Sequence, residues 1–265
     1  MPDQVQGVTQ LLNRLYILHA SDSDQVDEYT TEDQYMRVRC ISVPGLKTSG
    51  ICDIASCEQN KCLYLSNMSN RYIHVVVPKS KSSKFSKWTL SEIPCGLSVT
   101  ETGNLLVTCI QSSKLLEFNS GGKCIRTIIL DSEIHRPLHS TQLASGSFVL
   151  CCTGTTNNLH TVCIVSPEGM VEQSYSGEVG GHFNLLSSPT HVAVDKDEFV
   201  YVADRDNHRI VLLSPSLQFV GLVLPNELDR PTNHVYISQA TGQLYASSLM
   251  FDPLQRRSVV SVVQL

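Results

Sequence analysis

Three histidines carry the clearest chemical possibility in the chain. His139 and His191 each stand two residues after a proline, Pro137 and Pro189, and His234 stands three after Pro231, where Asn233 holds the matching position. Neutral imidazoles in threes, or fewer with carboxylates, are what a tetrahedral zinc site requires. No cofactor or metal is expected, and His139, His191 and His234 are the residues that would supply a metal site if there were one. A second candidate is the basic run Lys79, Lys81, Lys84 and Lys87, interleaved with Phe85 and Trp88. Such a stretch can follow a phosphate backbone and stack bases. Residues 78–84 nevertheless read as a solvated loop, with Trp88 packed on a neighbouring element. The acidic run of Asp22, Asp24, Asp27, Glu28, Glu32 and Asp33 reads as a solvated loop and strand edge, and the two runs together could form a two-signed partner surface. The sequence has no G-x-S-x-G, G-x-G-x-x-G, Walker or H-E-x-x-H pattern, and no spacing singles out a Ser-His-Asp set. No catalytic residue is expected, and the chain reads as a non-enzyme.

The surrounding chain is globular. Of its 265 residues 42% are apolar and 17% charged, enough to bury a core. The net charge of −5 argues against a dedicated nucleic-acid binder while leaving room for one basic face. No run approaches the roughly 18 apolar residues of a membrane helix, so no membrane partner is expected. The N-terminal residues show no basic and apolar leader, which points to the cytoplasm. In that compartment the ten cysteines are expected to be reduced, most of them buried as small hydrophobes. Cys52, Cys57 and Cys62, spaced C-x4-C-x4-C, lack the spacing of a zinc-finger pair, and the sequon at Asn67 has no secretory route.

The elements that would position these residues come from a repeat. A turn residue, any residue, an apolar residue and then Tyr or a substitute recur, ending at Tyr16, Tyr64, Leu106, Val149, Tyr201 and Tyr245, in steps of 42 to 52 residues. A proline and an alternating apolar stretch precede several copies, and apolar runs follow each. About four short strands per period, six times over, predict an all-β, six-bladed β-propeller of four-stranded antiparallel blades. The whole of 1–265 forms a single domain, with blades at about 4–44, 49–91, 94–132, 137–180, 189–225 and 231–265. The last blade has only three candidate strands, at 234–238, 243–249 and 258–265, and is read as incomplete. The chain is therefore expected to be part of a longer one. Innermost strands line a propeller's channel, which is where His139, His191 and His234 could meet.

At residues 189–213 the pattern becomes specific. Val200-Tyr201-Val202-Ala203-Asp204-Arg205-Asp206-Asn207-His208-Arg209-Ile210 resembles the NHL repeat, named for Asn-His-Leu at the point where Asn207-His208-Arg209 stands. The likeness implies an NHL propeller like that at the C-terminus of TRIM-type ubiquitin ligases and RNA regulators. In this motif Asp204 is expected to accept from N–H groups of the following turn, with Asn207 and Arg209 satisfying it, a structural role. Asn67 and Asn70 match Asp204 and Asn207 in blade 2, and His19, Cys109, Cys152 and Ser248 stand opposite Asp204 in the other blades. Peptidylglycine amidating lyase, an NHL-related enzyme, has channel histidines directly after the proline, where this chain has Leu138, Thr190 and Thr232. A one-residue offset reverses a strand residue's facing, which argues against that activity.

The resulting expectation is a non-catalytic scaffold that presents the loops between second and third strands to a protein partner. The contact residues would be Asn67, Asn70, Arg71, Gln111, Lys114, Arg205, Asp206 and His208, with further loops at 153–158 and 250–256. In a longer TRIM-like chain such a scaffold would recruit substrate for ubiquitination. RNA binding through Arg71, Lys114 and Arg205 is the alternative, and a metal-dependent lyase or hydrolase using His139 or His191 the minor one. No small-molecule substrate is expected.

Overall fold

The computed structural model describes residues 5–19, 25–32, 34–46, 51–79, 81–153, 160–176, 185–223, 231–249 and 258–265. Among these, 23 strands form six antiparallel sheets. Blade 1 holds β1 (Val5–Leu11), β2 (Arg14–His19), β3 (Gln25–Thr30) and β4 (Arg37–Ser42). Blade 2 holds β5 (Ile51–Cys57), β6 (Cys62–Asn67), β7 (Tyr72–Val77) and β8 (Lys84–Thr89). Blade 3 holds β9 (Pro94–Val99), β10 (Leu105–Cys109), β11 (Lys114–Phe118) and β12 (Cys124–Ile129). Blade 4 follows with β13 (Pro137–Gln142), β14 (Phe148–Thr153), β15 (His160–Val165) and β16 (Val171–Tyr175). Blade 5 has β17 (Pro189–Val194), β18 (Val200–Asp204), β19 (Arg209–Leu213) and β20 (Phe219–Val223). Blade 6 has β21 (Thr232–Ser238), β22 (Gln243–Leu249) and β23 (Ser258–Gln264). In every blade the strands pair in chain order, so each sheet is an up-and-down meander.

The core explains why the apolar runs are nearly continuous. It divides into six clusters, one at each seam between neighbouring blades, including blade 6 against blade 1. A middle strand lies between two seams, so both of its faces must be apolar. β10, for example, sends Leu105 and Val107 to blade 2 and Leu106 to blade 4, all fully buried. Trp88 bridges the second seam, its ring 5.5 Å from that of Tyr64 and 6.1 Å from that of Phe118. The seam between blades 6 and 1 closes the ring by apolar packing of Val5, Val8, Leu15 and Ile17 on Tyr245. Each such side chain contributes about 1.5–3 kcal/mol when fully buried.

One expectation needs correction. Asp27 and Glu28 of the acidic run are not solvated. Both are buried on β3, where β4 supplies Arg37, 2.6 Å from Asp27, and Arg39, 2.7 Å from Glu28. A paired strand next door lets two carboxylates stay buried because each has a guanidinium within reach. Asp22, Asp24 and Asp33 lie outside the described residues. The basic run does stand in solvent: Lys84 and Lys87 are exposed on β8, the outermost strand of blade 2. Cys57, Cys62, Cys95, Cys109, Cys151, Cys152 and Cys163 are free and buried, Cys40 is half-buried and Cys124 exposed. Among the described residues no helix is long and apolar enough to cross a membrane.

Candidate functional site

Six residues at one level of the propeller axis are set by a bulge repeated in every blade. The first residue of each innermost strand pairs with the last part of the second: Val5 with His19, Ile51 with Asn67, Pro94 with Cys109, Pro137 with Cys152, Pro189 with Asp204 and Thr232 with Ser248. The register then slips before pairing resumes. A bulge inserts an unpaired residue and re-aims the side chain beside it. Two places after that first residue stand Gly7, Asp53, Gly96, His139, His191 and His234, one from each blade. This corrects the sequence register in blade 6. The equivalent of Pro137 and Pro189 is Thr232, not Pro231, so His234 and not Asn233 is in step with the other two histidines. It also removes the facing argument drawn from strict alternation, which holds only where the ladder is unbroken.

The four polar members meet. Asp53 is buried, with 1% of its surface exposed. Its Oδ1 accepts from the Ile54 N–H at 2.8 Å and its Oδ2 from the Leu97 N–H at 2.7 Å. His234 Nε2 lies 3.1 Å from Oδ1, and the Nε2 atoms of His191 and His139 lie 3.5 and 3.6 Å from Oδ2. The His139 and His191 rings are stacked with centroids 3.5 Å apart, and the His191 and His234 rings are tilted by 40° with centroids 3.8 Å apart. Two glycines make the room. A Cβ on Gly96 would come within 2.6 Å of His139 Cα, and one on Gly7 within 2.7 Å of Ile54 Cγ2 and 3.4 Å of the His234 ring.

The electrostatics follow from burial. It pushes the His139 imidazole down to about 4, with Asp53 opposing and His234 adding to the effect. Burial also holds His191 well below the usual imidazole range, with His139 and His234 beside it. For Asp53 burial acts upward, but the partnership of His191 and His234 outweighs it and keeps the carboxyl well below the usual carboxylate range. At neutral pH the cluster thus presents an ionised carboxylate beside the neutral imidazoles of His139 and His191. His191 Nδ1 has no hydrogen-bond partner, nor do the Nδ1 atoms of His139 and His234. His139 Nε2 is 3.0 Å from the Leu97 carbonyl.

The cluster divides the channel into two funnels, and the three histidines line both. One is a cavity of 470 Å³ whose wall, among the described residues, includes Glu58 and no lysine or arginine. The other, of 540 Å³, opens at the end that carries the loops between second and third strands. Its wall includes Arg136 and Arg205 over Met68, Ile110 and Leu138, with Asp53 at the floor as the one acid among the described residues.

The expected rim residues do not converge. Asn67 Oδ1 accepts from the Asn70 N–H at 3.0 Å, which closes the β6–β7 turn. Arg71 donates to the Ser91 carbonyl at 2.9 Å, and Lys114 lies 2.7 Å from Glu92. Gln111 and His208 are exposed, the latter at φ 53° after the short 3-10 turn Arg205–Asn207, and Asp206 accepts from Ser188 Oγ. Of these residues only Arg205 reaches the funnel wall. The loops at 154–158 and 250–256 lie outside the described residues. The residues that sequence reasoning missed are Asp53, Gly7, Gly96 and Arg136. The pairing of each innermost strand with the position opposite Asp204 would have found the first three.

In blade 5 Asp204 is fully buried. Its Oδ1 accepts from the Ser187 N–H at 2.6 Å, and its Oδ2 accepts from Asn207 Nδ2 at 2.7 Å and Arg209 Nε at 2.6 Å. The backbone donor sits in the loop before β17, not in the turn after β18, so the motif ties two loops together. Asn207 and Arg209 both also donate to the Leu185 carbonyl at 2.8 Å. Residues 186–211 match the NHL repeat family. They lie in blade 5, the segment whose sequence pattern resembles that repeat. No curated protein matches the chain by sequence. Solved structures do match it in shape. Kuenenia stuttgartiensis hydrazine synthase is similar at TM-score 0.68 and 13% identity, over 100% of this chain and 96% of that one. Virginiamycin B lyase from Staphylococcus aureus is similar at 0.64 and 11%, over 99% and 85%. The Swd1 β-propeller domain of Myceliophteria thermophila is similar at 0.63 and 12%, over 98% and 83%. At such identities the likeness establishes the propeller fold.

Proposed function

We propose that the chain is a non-catalytic binding scaffold whose Arg136–Arg205 funnel receives an acidic segment of a protein partner. The observation that supports this is the charge of the two mouths. Arg136 and Arg205, both exposed, stand on the wall of the 540 Å³ funnel, whereas among the described residues the opposite funnel offers Glu58 as its charged side chain. Two guanidinium groups above an apolar wall of Met68, Ile110 and Leu138 suit a carboxylate-bearing peptide with an apolar neighbour. In the TRIM-type setting that the NHL blade resembles, the bound protein would be a ubiquitination substrate.

RNA is the competing ligand, since guanidinium groups also grip phosphate. Against it, Lys114 and Arg71 are engaged by Glu92 and Ser91, and the lysines of β8 belong to blade 2 whereas Arg205 belongs to blade 5. Calorimetric titration of the purified chain with an array of acidic peptides, beside a random single-stranded RNA pool, tests the proposal. Peptide binding should fall about 10-fold or more in Arg136→Ala and Arg205→Ala. No peptide binding, with RNA retained and lost steeply as salt rises, would replace the reading with RNA recognition.

A further inference from the structure

We propose that Asp53, His139 and His191 form a three-ligand site for a zinc-like divalent transition metal, which clamps blades 2, 4 and 5 across the propeller axis. This inference is independent of the funnel's ligand. Its first support is distance. Ligand atoms of a zinc tetrahedron with bonds of about 2.0–2.1 Å stand about 3.3 Å from one another. Asp53 Oδ2 stands 3.5 and 3.6 Å from the Nε2 atoms of His191 and His139, while His234 Nε2 holds the other oxygen, Oδ1, at 3.1 Å. One ligand atom each from Asp53, His139 and His191 falls within 4.8 Å of the others. The second support is chemistry. A carboxylate with imidazoles selects zinc and its neighbours over magnesium or calcium, which prefer oxygen alone.

The third support is the polar accounting of the site. Neutral imidazole carries one N–H and one lone pair. His191 is buried with Nε2 directed only at Asp53, and a metal would take up the lone pair of that nitrogen, with the proton on Nδ1. His139 joins by moving its proton to Nδ1 and giving up its 3.0 Å contact with the Leu97 carbonyl, a cost that the metal bond must outweigh. Asp53 is already oriented by two backbone N–H groups, as an outer shell orients a metal ligand. The placement gives the ion a task. Its ligands belong to three blades, and His234 of blade 6, which has three strands in the described residues, holds the same carboxylate at 3.1 Å.

The test begins with the whole chain, stripped with a chelator and titrated with zinc chloride. Metal analysis after dialysis should give about one zinc per chain. The melting temperature should rise by about 5 °C at a hundredfold excess over Kd. Cobalt(II) in place of zinc should give the intense visible bands of tetrahedral coordination. His191→Ala and Asp53→Asn should weaken zinc by more than the ~10–100-fold that an outer-shell change costs, while His135→Ala, at an exposed site, should not. If either variant fails to fold, the wild-type titration still decides. Less than about a tenth of an equivalent of zinc with no thermal shift overturns the proposal, and so does full retention of zinc by a folded His191→Ala.

Discussion

Two buried carboxylates, Asp204 in the NHL blade and Asp53 at the axis, solve one problem in different ways. Each is almost entirely removed from water and each takes backbone N–H donors. Asp204 completes its shell within its own blade, from Asn207 and the permanent cation of Arg209. Asp53 draws on three other blades, from imidazoles that carry no fixed charge. A carboxylate closed locally by a guanidinium is a fastener and is complete as it stands. A carboxylate facing neutral imidazoles keeps lone pairs in reserve, and that makes the axial site chemically available.

The largest effect expected is at the fastener. Asp204→Ala leaves Arg209, with 12% of its side chain exposed, without its counter-ion, orphans the Ser187 N–H and leaves Asn207 with the Leu185 carbonyl in place of two acceptors. Breaking a buried pair from one side costs about 3–5 kcal/mol. Urea unfolding should show that loss, and a loss under about 1 kcal/mol would mean that the blade does not depend on the motif.

The axial site should differ by its response to acid. In the metal-free chain His139 titrates at about 4 when folded, against 6.5 for the free side chain. Because the folded value is the lower, the unfolded chain takes up the proton first as pH falls. The stability is therefore fully present above about 6.5 and is lost between about 6.5 and 4. At about 1.4 kcal/mol per unit the loss reaches about 3 kcal/mol for this group. His191 acts in the same direction, while Asp53 holds its contribution until the pH falls below the usual carboxylate range. Urea titrations from pH 7.5 to 4.5 should show this slope, and His139→Gln should reduce it. A flat profile would mean that the axial imidazoles are not buried in their neutral form.

The sequence revealed one of these regions better than the other, for a physical reason. The fastener is local: Asp204, Asn207 and Arg209 span six residues, and apolar runs with turn residues mark the strands around them. Six blades are legible for the same reason, because each seam draws on runs that recur with the repeat. The axial site is legible only in part. His139 and His191 were visible because each follows a proline, but Asp53 and His234 pair across 181 residues. The bulge beside each of the six positions breaks the alternation from which facing is read. Blade 6 shows the result, since Pro231 lies one residue outside the register that Thr232 sets. The ion pairs of Asp27 and Glu28 were hidden differently: a charged run reads as solvated until the neighbouring strand's arginines are placed beside it.

The two axial glycines give the smallest effects and the finest probe of how tightly the site is built. Gly96→Ala would press a Cβ against the backbone of blade 4, at the Leu138 carbonyl and 2.6 Å from His139 Cα. Backbone cannot swing aside, so overpacking should cost about 1–3 kcal/mol. Gly7→Ala meets instead a side-chain methyl, Ile54 Cγ2 at 2.7 Å, which must shift by a small χ1 change of a buried β-branched residue, and the His234 ring at a tolerable 3.4 Å. There the strain is offset by the roughly 0.4–1 kcal/mol that replacing glycine by alanine recovers from the unfolded chain. The expected net change is within about 1 kcal/mol. Zinc affinity should separate the two more sharply than stability does, because only Gly96→Ala displaces the backbone that carries a ligand. Equal losses of zinc in both variants would place the constraint in the rings of the cluster and not in the blade that holds His139.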